Sequence, residues 1–287
     1  MRNKNFSWDV FVNASANRNK VVSIYPGLEE IVIGSQFGYS NSTVTMKYIP
    51  GESVGNIYGT PYTRYNDNKD PLRSNKSLPL LIGADGFPVL TPYSNQKILG
   101  NSYAKWIWSI GNTFNYKNFS LYFLVDARQG LQKYDQFSNF MAAFGESKLT
   151  LNRNDLVTFD GVLADGSKNT KEVWLGQGVG PDGHDYGSAG FYRARYRGIA
   201  ENFVEDASWV RLRSVSFSYR LPAKILQGTF VKTVNLAVTG NNLVLLTSYK
   251  GFDPESSSTP ASSNVNGFAG FSYPALRSYI VSLNVGF

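Results

Sequence analysis

Polar and apolar positions alternate with a period of two over several long stretches of the chain, the pattern of strands with one apolar and one polar face. The clearest stretch is the last, Pro274 to Phe287. There Tyr279, Val281, Leu283, Val285 and Phe287 form one apolar row, while Ser278, Ser282, Asn284 and Gly286 are small or polar. Ile280 is the exception in that alternation. Near the other end Phe6, Trp8, Val10 and Val12 share a face over Asn5–Ala16. A hairpin follows in mid-chain: Trp106, Trp108, Ile110, Phe114 and Tyr116 run up to Lys117-Asn118, and Phe119, Leu121, Phe123, Val125 and Ala127 return. Asn118 is the residue expected to take a left-handed conformation in that turn. Trp209–Leu221 and Thr229–Leu246 complete the strong signals, and a glycine-broken stretch, Glu52–Tyr65, reads as one further strand. Arg211 and Arg213 fall on the apolar side of the Trp209 strand by simple counting, so a β-bulge or an interfacial position is expected there.

These strands are roughly 10–14 residues long, against about 5–6 in soluble proteins and about 9–11 needed to cross a bilayer at a tilt. The segments between them sort by length. Asn66–Asn101, Leu131–Ser208 and the Ser-rich segment ending at Gly270 are long, whereas Lys117-Asn118 and Pro222–Gly228 are short, and strict up-and-down order puts the long ones at one end. Asn17–Pro50 alone breaks the rule, being too long for a short-end turn. The fold expected is all-β: an antiparallel transmembrane β-barrel portion of about seven strands with long outer loops and short inner turns. Such a set leaves open edges and does not close by itself.

Composition narrows the classes. Aromatic residues make up 15% of the chain and charged residues 17%, with 27 glycines among 287 residues. That profile suits a membrane barrel with aromatic girdles, and it equally suits a soluble glycan-binding β-sandwich. With no cysteine there is neither a disulfide framework nor a thiolate nucleophile. The net charge is +7, but the basic residues are scattered without a run or stripe, which argues against nucleic acid as a partner. No apolar run approaches the ~20 residues of a membrane helix. Asn3, Lys4, Asn5 and Asp9 leave no apolar segment of a secretory leader, so the chain is read as either cytosolic or lacking its true beginning.

Candidate chemistry is sparse. His184, the sole histidine, stands with Asp182 and Asp185 in a turn-like segment, which serves a cation or an Asx turn. Asn66, Asp67, Asn68 and Asp70 lack the spacing and bidentate acid of a calcium loop. Gly176, Gly178, Gly180 and Gly183 lack the flanking strand and Lys-Ser/Thr of a phosphate cradle. No catalytic residues, cofactor or metal site are expected. In Phe191–Arg197 rings and cations interleave; with Tyr186 they make a candidate ligand-facing loop of Tyr186, Phe191, Tyr192, Arg193, Arg195 and Tyr196. The same residues would serve as a loop packed on its neighbours.

Four segments carry a resemblance: KWIWSIGNTFNYKNFSLYFLVDARQG, DASWVRLRSVSFSYRLP, LAVTGNNLVLLTSYKGFDPE and YPALRSYIVSLNVGF. In this order they resemble the carboxyl-terminal barrel of the SusC/RagA family of TonB-dependent outer-membrane transporters, and FSWDVFVNASANRNKVV resembles an earlier strand of that barrel. The resemblance implies that residues 1–287 are the carboxyl-terminal part of a barrel of ~22 strands with a plugged lumen. The plug, TonB box and signal peptide of the family are not visible in the sequence. It also implies uptake of a glycan or peptide nutrient without covalent chemistry, an outer-membrane location, and three partners: a SusD-like surface lipoprotein, the TonB complex and membrane lipid. Asp253, Pro254 and Glu255 match the family's DPE segment, read as a structural turn or a contact with a surface partner. Tyr279, Val281, Leu283, Val285 and Phe287 look like the carboxyl-terminal signal used in outer-membrane assembly. A soluble secreted carbohydrate-binding β-sandwich stays open as the alternative; a glycoside hydrolase would need a pair of placed carboxylates that the sequence does not offer.

Overall fold

A computed structural model describes residues 3, 5–36, 44–260 and 263–287. Parts of Asn17–Pro50 and of the Ser-rich segment, together with Lys4, lie outside the described residues. The strands are β1 (Phe6–Ala16), β2 (Ile31–Gln36), β3 (Val44–Tyr48), β4 (Asn56–Gly59), β5 (Lys97–Asn101), β6 (Trp106–Tyr116), β7 (Phe119–Gln129) and β8 (Gln132–Asp135). Helix α1 (Gln136–Phe144) follows, then β9 (Leu156–Val157), β10 (Val173–Trp174) and a short helix α2 (Gly190–Ala194). The chain ends with β11 (Val204–Asp206), β12 (Trp209–Arg220), β13 (Thr233–Thr247), β14 (Phe268–Ala269) and β15 (Ser278–Gly286).

Six long strands form one antiparallel sheet in the order β1-β6-β7-β12-β13-β15, with β1 and β15 as its edges. Directly paired residues lie on the same face of a sheet, so the register decides what each face carries. Trp8 pairs with Phe114, Phe114 with Leu121, Leu121 with Phe217, Phe217 with Val238 and Val238 with Val281. One apolar row therefore crosses the whole sheet. The neighbouring row runs through Tyr116, Phe119, Tyr219, Leu236 and Leu283. These side chains remain open to the surroundings: Val281 is 71% and Leu283 65% exposed. The opposite face carries Ser120, Ser216, Ser218, Thr239, Ser282 and Asn284, and Ser216 and Thr239 share a hydrogen bond at 2.8 Å.

The sheet holds six long strands, not seven. Of Glu52–Tyr65 only Asn56–Gly59 is a strand, and it belongs to a separate four-stranded sheet, β2-β3-β4-β5. Residues 17–105 are thus a single connection between β1 and β6, which pair end to end from Ala16↔Trp106 to Phe6↔Tyr116. This removes the mismatch at Asn17–Pro50. Connections 17–105, 130–208 and 248–277 all leave from one end of the sheet, while Lys117-Asn118 and 221–232 close the other. In the tight turn the left-handed residue is Lys117, φ 52°, and not Asn118. Asn118 is held by β12 instead, its Nδ2 donating to Arg220 O at 2.8 Å and its O accepting from Arg220 N at 2.9 Å.

The long connections, read from the sequence as loops, fold into a layer of their own. Tyr134 of β8 pairs with Val204 of β11 and Phe268 of β14, while α1 packs against α2. Val44, Met46, Ile57, Leu99, Tyr134, Ala142, Ala200, Phe203, Val265 and Phe268 form the largest buried apolar cluster. Every one of them lies outside the six-stranded sheet. Burying side chains of this size stabilises by about 1.5–3 kcal/mol each, so the packed core of this chain is in its loops. Helix α1 is fixed at both ends: Asp135 Oδ1 accepts from Ser138 N at 3.0 Å, and Gly145 adopts φ 77° after the last turn.

Candidate functional site

The candidate site lies in the loop layer, which meets the polar face of the sheet at β12. β12 makes this junction possible. Between Leu212 and Ser214 it carries one residue, Arg213, more than the facing Val125–Leu124 of β7. The resulting bulge reverses the alternation, so Val210 and Leu212 join the apolar face, and Arg211 pairs with Asp126 on the polar one. The conflict expected for Arg211 and Arg213 is resolved this way. In β13, opposite the bulge, Asn242 takes φ 53°, a conformation that asparagine tolerates better than most residues.

The two arginines seize the loop that follows β13. Arg211 Nη2 donates to Asp253 Oδ1 at 2.7 Å, and its Nε stands 3.0 Å from Glu255 Oε2 as an ion pair without hydrogen-bond alignment. Arg213 donates from Nη2 to Glu255 Oε1 at 2.8 Å, from Nε to Asp126 Oδ2 at 2.9 Å and from Nη1 to Asn242 Oδ1 at 3.1 Å. The buried ring of Trp209 lies within about 6 Å of Arg128, Arg211 and Arg213, the range of cation–π attraction. Asp253 Oδ2 also accepts from Ala275 N at 3.0 Å, and Asn242 Nδ2 donates to Leu276 O at 3.0 Å. Burial would raise the Asp253 pKa. The N–H groups of Glu255 and Ala275 and the Arg211 guanidinium outweigh it and hold the carboxyl below its usual range. The DPE segment is therefore a structural latch that ties both ends of loop 248–277 to the sheet.

A second buried clamp binds the remaining connections. Arg64 grips Glu201 with Nη2 to Oε1 at 2.8 Å and Nη1 to Oε2 at 3.0 Å. Glu201 Oε2 also accepts from Tyr62 N at 2.9 Å, while Tyr62 Oη donates to Asn202 Oδ1 at 2.8 Å. Nothing in the sequence marks this pair, because its members stand 137 residues apart.

The six residues of the candidate ligand-facing loop come together around α2. Phe191 is buried against Phe87, their rings stacked at 5.8 Å, and packs with Val173 and Leu175. Tyr196 bridges Phe191 and Phe203, which joins this cluster to the main core. Tyr186 stands edge-on to Trp174 and Phe87, and Tyr192 donates from Oη to Asn152 Oδ1 at 2.6 Å. Arg195 lies 4.4 Å over the Phe87 ring and pairs with Asp85 at 2.5 Å. Arg193 is exposed and stacks on Phe144 at 5.9 Å. A cleft of about 360 Å³ opens between α1 and α2, with Tyr192, Arg193, Arg153, Asn154 and Gln177 on its walls.

His184, Asp182 and Asp185 form hydrogen-bonded turns. Asp182 accepts from His184 N at 3.1 Å and from Tyr186 Oη at 2.8 Å, and Asp185 accepts from Gly187 N at 2.9 Å. Asp67 receives Ser74 Oγ at 2.8 Å, and Asp70 receives Leu72 N at 2.8 Å. Among the described residues no group of three or more His, Cys, Asp or Glu side chains could hold a metal ion.

The arrangement defines a class first: an all-β chain with an antiparallel six-stranded sheet, exposed and apolar on one face, and a folded loop layer at one end. TonB-dependent receptor P3 of Formosa agariphila is 29% identical over 99% of this chain and 27% of its own length. Receptor P26 of the same organism is 24% identical over the whole chain and 28% of its own length. Among solved structures, the RagAB peptide transporter contains a chain that superposes with a TM-score of 0.63 at 18% identity, covering 100% of this chain and 28% of that one. The RagAB peptide importer in the closed-closed state gives a TM-score of 0.62 at 17% identity. No family model matches the chain. Along its whole length the chain is a relative of TonB-dependent receptors, and it spans little more than a quarter of the relatives it matches. The SusC/RagA resemblance read from the sequence is borne out.

Two outcomes follow from the buried charges. Replacing Asp253 by Asn leaves Arg211 without its closest carboxylate, and about 3–5 kcal/mol of local stability should be lost. Amide hydrogen exchange in 248–277 should accelerate while that of β6 and β7 stays unchanged. Lys133, buried in β8 with Nζ donating to Ser256 O at 2.5 Å, has its pKa pushed down to about 8, chiefly by desolvation and further by Arg128. Its folded value lies below the unfolded one, so the unfolded chain binds more protons between them. Stability of the loop layer should therefore rise from about pH 8 toward pH 10 and level off at its lower value below pH 8. In Lys133→Met that slope should vanish from a denaturant titration.

Proposed function

We propose that the chain is the carboxyl-terminal part of the barrel of a SusC-like TonB-dependent transporter that imports an oligomeric nutrient, peptide or glycan, across the outer membrane. The observation that carries this reading is the apolar face of six strands, broken in mid-sheet by Asn112, which accepts from Trp8 Nε1 at 3.1 Å, and exposed on one side, with every long connection at one end. In water such a face costs free energy in proportion to its area; against lipid it costs nothing. Lipid would meet Trp8, Leu121, Phe217, Val238 and Val281, and the polar face would line the lumen. The edges β1 and β15 would pair with strands of the transporter that this chain does not contain.

In this reading the loop layer faces outward, where it receives cargo and a SusD-like lipoprotein, while TonB engages the amino-terminal part of the whole protein. Tyr186, Tyr192, Arg193 and Arg195 would offer rings and cations to cargo, with Phe191 and Tyr196 holding them in place. The role is transport, not catalysis. The β-sandwich alternative would cover the apolar face with a second sheet. The four-stranded sheet packs instead through Val44, Met46, Ile57 and Leu99 against Tyr134, Phe203 and Phe268.

Arginine placed at Phe217 or Val281 in the complete transporter should cost roughly 2–4 kcal/mol, and far less at Ser216 or Ser282. Folding titrations into lipid vesicles measure both, and equal tolerance on the two faces would remove the membrane assignment. We assign the row Tyr279, Val281, Leu283, Val285 and Phe287 to assembly as well. Phe287 stacks on Phe230 at 5.6 Å, and Lys232 N donates to Gly286 O at 2.7 Å, so the chain end is also held locally. Deleting Phe287 should slow membrane insertion of the complete transporter more than it lowers the melting temperature of inserted protein. Normal insertion with lowered stability would reduce Phe287 to a packed ring.

A further inference from the structure

A cleft of about 600 Å³ lies where β1 ends and β6 begins, at the end of the apolar face from which the long connections leave. Its lower wall is Trp106, 58% exposed and paired with Ala16 in the apolar row. Its rim carries Arg18 and Lys105, both exposed. No Asp or Glu lines it. The adjacent carboxylate, Glu52, is already engaged by Arg73 and Asn56. Neither Arg18 nor Lys105 has an ion-pair partner among the described residues.

The floor is a fixed hydrogen-bond network. Ser53 Oγ donates to Asn19 Oδ1 at 2.7 Å, Asn101 Nδ2 donates to Ser53 Oγ at 2.8 Å, and Tyr103 N donates to Asn101 Oδ1 at 2.9 Å. Gly55 lets the Tyr103 ring lie against this floor, since a Cβ there would come 2.1 Å from Tyr103 Cδ2. The cleft therefore combines a rigid amide floor, an aromatic wall continuous with an apolar face, and two cations without carboxylate partners.

We propose that this cleft binds the phosphate-bearing headgroup of a membrane lipid. The proposal rests on the reading that the apolar face meets lipid. An exposed tryptophan at the end of such a face sits at the depth of the headgroups, where amphipathic rings anchor a barrel. Arg and Lys stems lie along apolar surface and carry their charges to that same depth. A guanidinium binds two phosphate oxygens at once, an ammonium adds a point charge, and basic clefts at this level accept anionic headgroups. The acyl chains would then run down the row headed by Trp106, Trp108 and Ile110.

The test uses the complete transporter, inserted in neutral-lipid vesicles, extracted in detergent and titrated with one phosphorylated lipid, its phosphate-free counterpart and inorganic phosphate, bound lipid being read by native mass spectrometry. The wild type should retain the phosphorylated lipid over its phosphate-free counterpart. R18Q/K105Q should weaken that retention about tenfold or more, and R18K/K105R should restore most of it. Inorganic phosphate should fail to compete, since the apolar wall contributes; competition at equal concentration would overturn the lipid assignment in favour of a free-anion site. Equal retention of both lipids, or R18Q/K105Q binding like wild type, would remove the headgroup site. In either case, normal insertion of the wild type leaves the transporter reading standing, whereas failure to insert removes both.

Discussion

Register is the constraint on which this structure depends. Paired residues share a face, so the row from Trp8 to Val281 exists only because five successive strand pairings agree to the residue. A slip of one position in any of them would put serines and asparagines among the rings. The structure uses such a slip once, at Arg213, and turns it to account. One extra residue moves Arg211 off the apolar face and brings two guanidiniums to the lip of the sheet, where Asp126, Asp253 and Glu255 neutralise them.

The consequence is a division of labour between backbone and side chains. The six-stranded sheet is held by its hydrogen-bond ladder and leaves its apolar side chains uncovered, so its stability is tied to what it meets on that face. The loop layer has its own core, around Tyr134, Phe203 and Phe268, and behaves as a small packed domain. Two buried charge clusters fasten the layer: Arg211 and Arg213 tie it to the sheet, and Arg64 with Glu201 ties its own segments together. Buried ion pairs are a poor source of net stability, because desolvation consumes most of the Coulomb gain. They are effective at specifying one arrangement, which is what long connections of low intrinsic preference require.

For the proposed transporter this division is useful. Cargo recognition needs rings and cations held in fixed positions above the barrel, and the cluster around Phe191 supplies rigidity without occupying the whole surface. The cleft at Arg18 and Lys105 shares no lining residue with the cluster around Phe191. A lipid headgroup there and cargo at the loop layer would not compete for the same residues.

The sequence by itself determined the long strands of the sheet, their faces, a conflict at Arg211 and Arg213 that a bulge or an interfacial position would resolve, and the clustering of long connections at one end. Period-two alternation over ten or more residues is a local signal, and no other element produces it. The relation to TonB-dependent receptors was legible as well, in segments such as GNN and DPE, where Asn242 and Glu255 turn out to bind the same arginine, Arg213. The tertiary structure decided the rest. Glu52–Tyr65 looked like a further, glycine-broken spanning strand, yet only Asn56–Gly59 is a strand, with Ile57 and Tyr58 both buried in another sheet. Residues 131–208 looked structureless because their strands are two to four residues long, too short to show a period. Their order comes from contacts across the chain, Arg64 to Glu201 and Phe87 to Phe191, and pairings so distant leave no trace in local sequence.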